Sequence, residues 1–150
     1  QLQLIAVKLE PHLANKKLEI QLIPDNQEMM VVADRDRIEQ ALINLLQNAI
    51  QVSSHQQNIQ VMLERKSEEV VISITDHGEG ISEGNLEHIW ERFYKTDKAR
   101  SGKTGIGIGL SIVKSIMDLH ATTIEVESEV GVGTVFRFAL PLMKQESDDE

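Results

Sequence analysis

Three features are scarce in this sequence of 150 residues: there is no cysteine, aromatic residues make up only 3%, and no apolar run is long enough to span a bilayer. The missing cysteines exclude disulfides and thiolate metal sites. The short apolar runs exclude a transmembrane helix of ordinary length within this sequence. Because aromatic side chains are so few, isoleucine, valine and leucine must build the core, and the length suits a single domain.

Positive charge is scarce as well. The sequence has 15 lysines and arginines against 24 aspartates and glutamates, a net charge of −9, which argues against a nucleic-acid partner. One window departs from this balance, because the segment from Arg92 to Lys103 contains five basic residues and one acidic residue. Such a local patch favours a small anionic ligand, although a solvated loop has the same pattern.

The glycines are few but clustered. Eight of the nine fall into three groups, which are Gly78 and Gly80; Gly102, Gly105, Gly107 and Gly109; and Gly131 and Gly133. The second group runs directly into an apolar pattern of helical period. Backbone N–H groups that no side chain covers, followed by a helix N-terminus, suit a polyphosphate. The groups therefore predict close backbone approach around one ligand, with three ordinary turns as the alternative.

Hydrophobic periodicity predicts helices on one face of a mixed sheet. Four helices are expected: 1–14; a segment that follows the N-cap candidate Asp34 and ends at 53–55; 81–90; and 108–119. Their expected buried residues are Ile38, Ala41, Leu42, Leu45, Ala49 and Val52 in the second, Leu86, Ile89 and Trp90 in the third, and Ile108, Ile112, Ile116 and Leu119 in the fourth. The expected strands are 17–23, 29–33, 58–64, 70–76, 123–127 and 134–140. Short turns between strand pairs favour mostly antiparallel order. The segment 93–104 lacks periodicity and is predicted to be a mobile loop.

Asp76 shares the parity of Val70, Ile72 and Ile74 along its predicted strand. If that face is the buried one, the carboxylate is turned inward and needs hydrogen-bond donors. An adenine 6-amino group is such a donor, and the glycines that follow would let a flat ring approach. An aspartate that caps its own glycine turn is the alternative.

Asn44 and Asn48 lie four residues apart and therefore share one face of the predicted helix. Amide oxygens are neutral, hard ligands, and one of them can hold Mg²⁺ whose other positions are filled by phosphate oxygens and water. Surface amides are the alternative. The five histidines show no metal-ligand spacing, and the glycine run matches neither the Walker P-loop nor the dinucleotide fingerprint.

Taken together, five short stretches resemble the motifs of the catalytic ATP-binding domain of sensor histidine kinases, within the wider gyrase/Hsp90-like ATPase fold. They are the N box at 44–49, the first glycine box at 76–80, the F box at 90–95, the second glycine box at 105–110 and the third at 131–136. The resemblance implies an α+β fold, a two-layer α/β sandwich of the Bergerat type. In it about three helices cover one face of a mixed, mostly antiparallel sheet.

The resemblance also implies roles for the matching residues. Asn48 would hold Mg²⁺, and Asn44 and Lys95 would act near the transferred phosphate. Asp76 would accept a hydrogen bond from the adenine amine, and 93–104 would be the ATP lid. The implied nucleotide-binding positions are Asn48, Asp76, Gly78, Gly80, Lys95, Gly105, Gly107, Gly109, Leu110 and Thr134.

The implied activity is that of a histidine protein kinase, which binds Mg·ATP and donates the γ-phosphate to a histidine on a separate dimerisation domain in two-component signal transduction. Gln51 and Val52 stand where a basic and an aromatic residue are usual, which leaves open a nucleotide-binding regulatory module without transfer activity. An ATPase of the same fold is the other alternative. The hydrolytic members carry a glutamate at the position of Asn44, and an amide cannot act as a general base.

We expect residues 1–14 to form a junction helix to an upstream phosphoacceptor domain, 15–144 the ATP-binding domain, and 145–150 a disordered acidic tail. The sequence begins at Gln1 without a methionine, which suggests a fragment. The expected partners are ATP, the histidine-containing dimerisation domain and the receiver domain of a response regulator. The chain alone would be a cytoplasmic monomer, and its parent a homodimeric, membrane-anchored bacterial sensor.

Overall fold

The computed structural model describes residues 9, 11, 13–14, 17–23, 29–54, 57–91 and 109–143. The elements, in chain order, are β1 (Glu19–Ile23), α1 (Arg35–Val52), β2 (Asn58–Arg65), β3 (Glu69–Asp76), α2 (Glu83–Leu86), α3 (Gly109–Leu119), β4 (Glu125–Glu129) and β5 (Gly133–Pro141). In this part of the chain, no helix is long and apolar enough to cross a membrane.

The strands form one five-stranded sheet in the order β1-β2-β3-β5-β4. β1 and β2 are parallel, whereas the other three neighbouring pairs are antiparallel. The predicted mixed, mostly antiparallel sheet of an α+β fold is therefore confirmed, as is the hairpin of β2 and β3. Since β3 is the central strand, its last residue, Asp76, has a neighbouring strand on each side.

The long helix α1 is specified by its cap and its apolar stripe. Asp34 is the N-cap, and its side chain accepts a hydrogen bond from the backbone N–H of Arg37 at 3.2 Å. Ser53 is the C-cap, where the predicted helix also ended. Val52, predicted to be inward, is only partly buried. The fully buried residues of α1 are Ile38, Ala41, Leu42, Leu45, Leu46, Ala49 and Ile50.

The core lies between the sheet and the helices. α1 packs against β2, β3 and α3. Along β3 every second residue is buried, and this alternation places Asp76 on the buried face. Phe136 and Phe138 of β5 are 2% exposed, and the Trp90 ring meets Phe136 edge-on with centroids 5.8 Å apart. The three aromatic residues that the structure describes thus all belong to the core between the sheet and the helices.

His120, just after α3, connects the end of that helix to the start of α1. Its Nδ1–H donates to the carbonyl oxygen of Ile116 at 2.8 Å, and its Nε2 accepts from the backbone N–H of Asp34 at 3.0 Å. A carbonyl oxygen only accepts and a backbone N–H only donates, so the ring acts as a neutral tautomer with the proton on Nδ1. This contact fixes how the two long helices lie against each other.

Two predicted elements are shorter than expected. The predicted strand 29–33 is only a single bridge between Val31 and Leu142, so it is not a sheet strand. The predicted helix 81–90 is reduced to the four residues of α2, because Gly84 and Asn85 are poor helix formers. Ile89 beyond it is nevertheless buried, as predicted.

The buried stripe of α3 differs from the prediction as well. Leu119 was expected inward but is 67% exposed, whereas Val113, Ile116 and Met117 are buried. At 100° per residue, position 119 lies about 110° around the helix from the centre of the stripe formed by 113, 116 and 117, so its side chain is turned away from the core. Ile112 is only partly buried.

Some predictions lie outside the described residues. These are most of helix 1–14, the loop 93–104, Ile108 at the start of the last predicted helix and the tail 145–150. Within the first of these segments, Leu9 and Leu13 are described and are buried in the same core as α1.

Candidate functional site

The candidate site is built around Asp76, whose side chain is only 3% exposed at the end of β3. Its Oδ1 accepts a hydrogen bond from the backbone N–H of Gly78 at 2.9 Å. Burial raises the pKa of Asp76, while backbone N–H bonds from Gly78 and Thr134 and the nearby His77 oppose the shift. Because the net shift is upward, a further hydrogen-bond donor such as an amine would stabilise the ionised carboxylate.

Asp76, Thr134 and Ser128 form a row across three neighbouring strands. Asp76 of β3 is the register partner of Thr134 of β5, which in turn is the partner of Ser128 of β4. Directly opposite residues of antiparallel strands place their side chains on the same face. The Ser128 Oγ lies 2.7 Å from the Thr134 Oγ1 and 3.0 Å from the carbonyl oxygen of Gly133. It also accepts from the backbone N–H of Ile81 at 2.7 Å.

Two glycines beside this row lie against the backbone of other segments. A Cβ at Gly133 would overlap the carbonyl oxygen of Asp76, and one at Gly80 would overlap that of Glu129. Both residues also have positive φ angles, +147° and +79°. The backbone N–H of Gly131 donates to the carbonyl oxygen of Glu79 at 2.8 Å. The first and third glycine boxes therefore pack directly on each other.

A third glycine joins this region to α1. A Cβ at Gly78 would lie 2.6 Å from the carbonyl oxygen of Val52, the last residue of the helix. That distance is below any normal contact, so the close approach of the turn to the end of α1 depends on glycine at this position. The turn that follows Asp76 is therefore held against α1.

The same face of α1 reaches the N-terminus of α3. The Asn44 Nδ2 donates to the carbonyl oxygen of Gly109, the first residue of α3, at 3.4 Å. Asn44, Asn48 and Val52 follow each other at four-residue steps and share one helix face. Asn48, which is partly buried, therefore lies between the start of α3 and the glycine turn after Asp76.

A metal ion at this site would need ligands other than a cluster of acidic side chains. Among the residues that the structure describes, no group of three or more His, Cys, Asp or Glu side chains is arranged to hold a metal ion. An amide such as that of Asn48 supplies one hard oxygen, which suits an ion whose other ligands come from phosphates and water.

An open cavity of about 680 Å³ lies beside the site and is lined by Lys17, Glu19, Gln57, Asn58 and His77. None of these five side chains is a buried polar group of the kind that Asp76 is. We therefore place the candidate site at Asp76 and the facing surface of α1.

The structure brings together the predicted positions 44, 48, 76, 78, 80, 109 and 134 around the end of β3 and the facing surface of α1. Leu110 follows directly on Gly109 and is partly buried. Lys95, Gly105 and Gly107 lie outside the described residues, and their predicted roles stay predictions.

Sequence reasoning missed Ser128. A signal was present, because Ser128 has the same parity as the partly buried Val126 in the short strand β4 and is therefore a polar side chain on the inward face. Its hydrogen-bond partners lie on other segments, with Gly133 and Thr134 across the turn to β5 and Ile81 47 residues away, and this is why periodicity alone did not single it out.

Comparison with known proteins identifies the family. The sequence pattern of the histidine kinase-, DNA gyrase B- and HSP90-like ATPase family matches residues 33–144. The sensor histidine kinase YclK of Bacillus subtilis is 40% identical over 133 residues, which is 86% of this chain and 28% of YclK. The histidine-protein kinase ArlS of Staphylococcus epidermidis is 34% identical over 135 residues, or 89% of this chain and 27% of ArlS. The chain belongs to this ATPase family and corresponds to the catalytic domain of sensor histidine kinases.

Solved structures agree. The catalytic domain of the histidine kinase ThkA superposes with a TM-score of 0.76 at 32% identity, covering 93% of this chain and 90% of that one. ThkA in complex with the response regulator TrrA gives 0.75 at 31% identity, covering 95% and 39%. Full-length ShkA in complex with AMPPNP gives 0.82 at 25% identity, covering 97% and 30%. The predicted fold is thereby confirmed.

Proposed function

We propose that this chain binds Mg·ATP and donates the γ-phosphate to a histidine on a separate domain, as the catalytic module of a two-component sensor kinase. The observation that carries the proposal is the buried carboxylate of Asp76 beside Gly78 at the end of β3. An adenine amine would donate to this carboxylate and offset the burial that raises the pKa of Asp76. The AMPPNP in the ShkA complex supports a nucleotide as the ligand.

The phosphates would lie at the N-terminus of α3. The hydrogen bond from Asn44 to Gly109 keeps that helix end against the asparagine face of α1. The first backbone N–H groups of a helix have no partner within it, and the helix dipole favours negative charge there. Gly109 and Leu110 would therefore face the phosphates through their backbones, together with Gly105, Gly107 and Lys95 as the resemblance implies.

Asn48 fits as the protein ligand of Mg²⁺. It offers one neutral oxygen between the proposed phosphate and adenine positions, and the described residues contain no acidic cluster that would hold an ion without nucleotide. Bound Mg²⁺ would neutralise charge on the phosphates during transfer. The contribution of the chain is to position the terminal phosphate for an external acceptor, which is the main source of catalysis in phosphoryl transfer.

Transfer is favoured over hydrolysis by Asn44. Its amide donates to the carbonyl oxygen of Gly109, and an amide has no basic site that could activate water. A histidine nucleophile supplied by another domain needs no such base. The relatives YclK and ArlS are named as histidine kinases, which also favours transfer over hydrolysis.

The wider setting is proposed on the same grounds. ThkA forms a complex with the response regulator TrrA, and we expect a receiver domain to interact with this chain's parent in the same way. Residues 15–144 would be the ATP-binding domain, 1–14 the junction to a histidine-containing dimerisation domain, and the site would face the cytoplasm.

The test combines binding and transfer. Labelled ATP is added to the chain with and without a histidine-containing acceptor domain supplied as a separate polypeptide. The proposal predicts phosphohistidine on the acceptor and little phosphate release without it. Tight ATP binding with no phosphohistidine would favour the regulatory module, and steady phosphate release without an acceptor would favour an ATPase.

A further inference from the structure

We infer that Ser128 is a positioning residue that sets the purine specificity of this site by fixing the hydroxyl proton of Thr134. The inference rests on the proposed function, since it concerns how the adenine end of the site distinguishes ATP from nucleotides with a carbonyl group at purine position 6.

The hydroxyl of Ser128 has three partners, and two of them have fixed roles. The backbone N–H of Ile81 only donates, at 2.7 Å, and the carbonyl oxygen of Gly133 only accepts, at 3.0 Å. A serine hydroxyl has one proton and two lone pairs. Its proton is therefore used by Gly133 and one lone pair by Ile81, which leaves one lone pair for the third partner.

The third partner is the hydroxyl of Thr134, whose Oγ1 lies 2.7 Å from the Ser128 Oγ. Since Ser128 has only a lone pair left to offer, Thr134 must be the donor in this bond. Its single proton then points along the sheet towards β4. Thr134 is only 4% exposed, so solvent does not compete effectively for that proton.

This arrangement determines what the row offers to a ligand. The Thr134 hydroxyl keeps only lone pairs for other partners, and the neighbouring carboxylate of Asp76 is an acceptor as well. The two register partners, Asp76 and Thr134, thus form a surface that only accepts hydrogen bonds. A purine with an amine at position 6 matches such a surface, whereas a carbonyl oxygen there would face acceptors. A water molecule that donated to both side chains would in turn present only a lone pair, so the preference also holds through water.

Loss of the Ser128 hydroxyl would remove this restriction. In a Ser128→Ala chain the Thr134 hydroxyl can rotate and donate to a carbonyl oxygen without breaking a hydrogen bond within the protein. Discrimination by Asp76 remains, so selectivity should fall but not vanish. Removing one neutral hydrogen bond changes an equilibrium constant by roughly threefold to tenfold.

The experiment measures dissociation constants of Mg·ATP and Mg·inosine triphosphate by calorimetry and takes their ratio. Inosine triphosphate carries a carbonyl oxygen in place of the amine. We expect Ser128→Ala to lower the preference for ATP by about threefold to tenfold, and Ser128→Thr, which keeps a hydroxyl, to retain most of it. If Ser128→Ala weakened both nucleotides equally, Ser128 would have only a structural role and the inference would be wrong.

A double-mutant cycle tests whether Ser128 acts through Thr134. In a Thr134→Val background, which has no hydroxyl to orient, Ser128→Ala should leave the nucleotide preference unchanged. A further drop of the same size there would overturn the inference. Thr122→Val is a matched control, because it removes another partly buried hydroxyl, which donates to the Ala139 carbonyl at 2.8 Å, and should not alter the preference.

The unmodified chain provides a test that does not depend on a variant folding. By NMR, the proton shared between the two hydroxyls should show its three-bond coupling to the Thr134 Hβ. Coupling to the Ser128 Hβ protons instead would contradict the proton assignment. Failure of the unmodified chain to bind Mg·ATP would be a different result, which contradicts the proposed function itself.

Discussion

The glycines at the two ends of the candidate site differ in what surrounds them. At the Asp76 end, a Cβ on Gly78, Gly80 or Gly133 would overlap or press on the backbone of another segment. At the start of α3, by contrast, a Cβ on Gly109 would meet nothing among the described residues closer than the Cβ of Asn44, at 4.0 Å. Glycine is thus required for packing at one end and not at the other.

This difference shows that clustered glycines have two physical meanings. The three groups were predicted to bring backbone close to one ligand. Gly78, Gly80 and Gly133 bring backbone close to backbone, which holds Asp76 and Thr134 in register. Among the clustered glycines that the structure describes, Gly109 and Gly131 have open space beside the main chain, and of these Gly109 lies against the asparagine face of α1. Substitutions at the first end should therefore affect folding, and substitutions at the second should affect binding.

The largest expected effect is that of Gly133→Ala. The new Cβ would overlap the carbonyl oxygen of Asp76 at a residue whose φ is +147°, so both packing and backbone geometry oppose it. We expect the free energy of unfolding, measured in urea, to fall by at least about 3 kcal/mol. Gly131→Ala is the matched control, because Gly131 also has a positive φ but no described atom within 4 Å of its Cβ position. It should cost only about 1 kcal/mol, and equal losses in the two variants would contradict the account.

The next effect concerns Asn48 between the two ends. Asn48→Ala removes the proposed magnesium ligand, so the affinity for Mg·ATP should fall about tenfold while stability stays equal or rises by about 0.5 kcal/mol. Titration calorimetry and urea unfolding check the two parts. Gln47→Ala, at an exposed neighbouring position of α1, should leave the affinity unchanged. If both variants lost a similar amount of affinity for Mg·ATP, Asn48 would have no specific role in binding Mg²⁺.

The buried carboxylate should make stability depend on pH. Because burial raises the pKa of Asp76 in the folded chain, the folded state binds more protons than the unfolded state between the two pKa values. The contribution of Asp76 to the free energy of unfolding therefore falls as pH rises through that range. Asp76→Asn removes this dependence and should be at least as stable as the unmodified chain at neutral pH. If Asp76→Asn were less stable than the unmodified chain by the same margin at neutral pH and in acid, this expectation would be wrong.

The smallest effect on folding is expected at the other end. Gly109→Ala adds a methyl group that would meet no described atom closer than the Asn44 Cβ at 4.0 Å, and it should change the free energy of unfolding by no more than about 1 kcal/mol, in the stabilising direction. Affinity for Mg·ATP should nevertheless fall, by about threefold to tenfold, since the backbone there would face the phosphates. If Gly109→Ala lost stability but kept its affinity for Mg·ATP, the expected difference between the two ends of the site would be contradicted.

Much of the fold follows from local patterns in the sequence. The Asp34 cap, the stripe of α1 and the alternation of β3 are set by side chains close in sequence, and the structure agrees with each apart from Val52, which is only partly buried at the end of α1. The errors are at places where distant contacts decide. Leu119 matched a helical period but is turned outward by the way α3 meets α1, and the segment around Val31 makes only a single bridge, to Leu142 just after β5.

The candidate site was predicted in part for a similar reason. Burial of Asp76 could be predicted because it follows from parity along one strand. The role of Ser128 could not, because it depends on the register between β4 and β5 and on the approach of Ile81 from a third segment. The resemblance to sensor histidine kinases supplied the nucleotide roles, which packing alone does not specify.

The most direct test of the central claim is a calorimetric titration of Mg·ATP against the unmodified chain and Asp76→Asn at neutral pH. Asp118→Asn, which removes an exposed carboxylate paired with Lys114, is the matched control. We predict that Asp76→Asn lowers the affinity about 10- to 100-fold, while the control binds like the unmodified chain. Equal affinity of Asp76→Asn and the unmodified chain would contradict the assignment of Asp76 to the adenine.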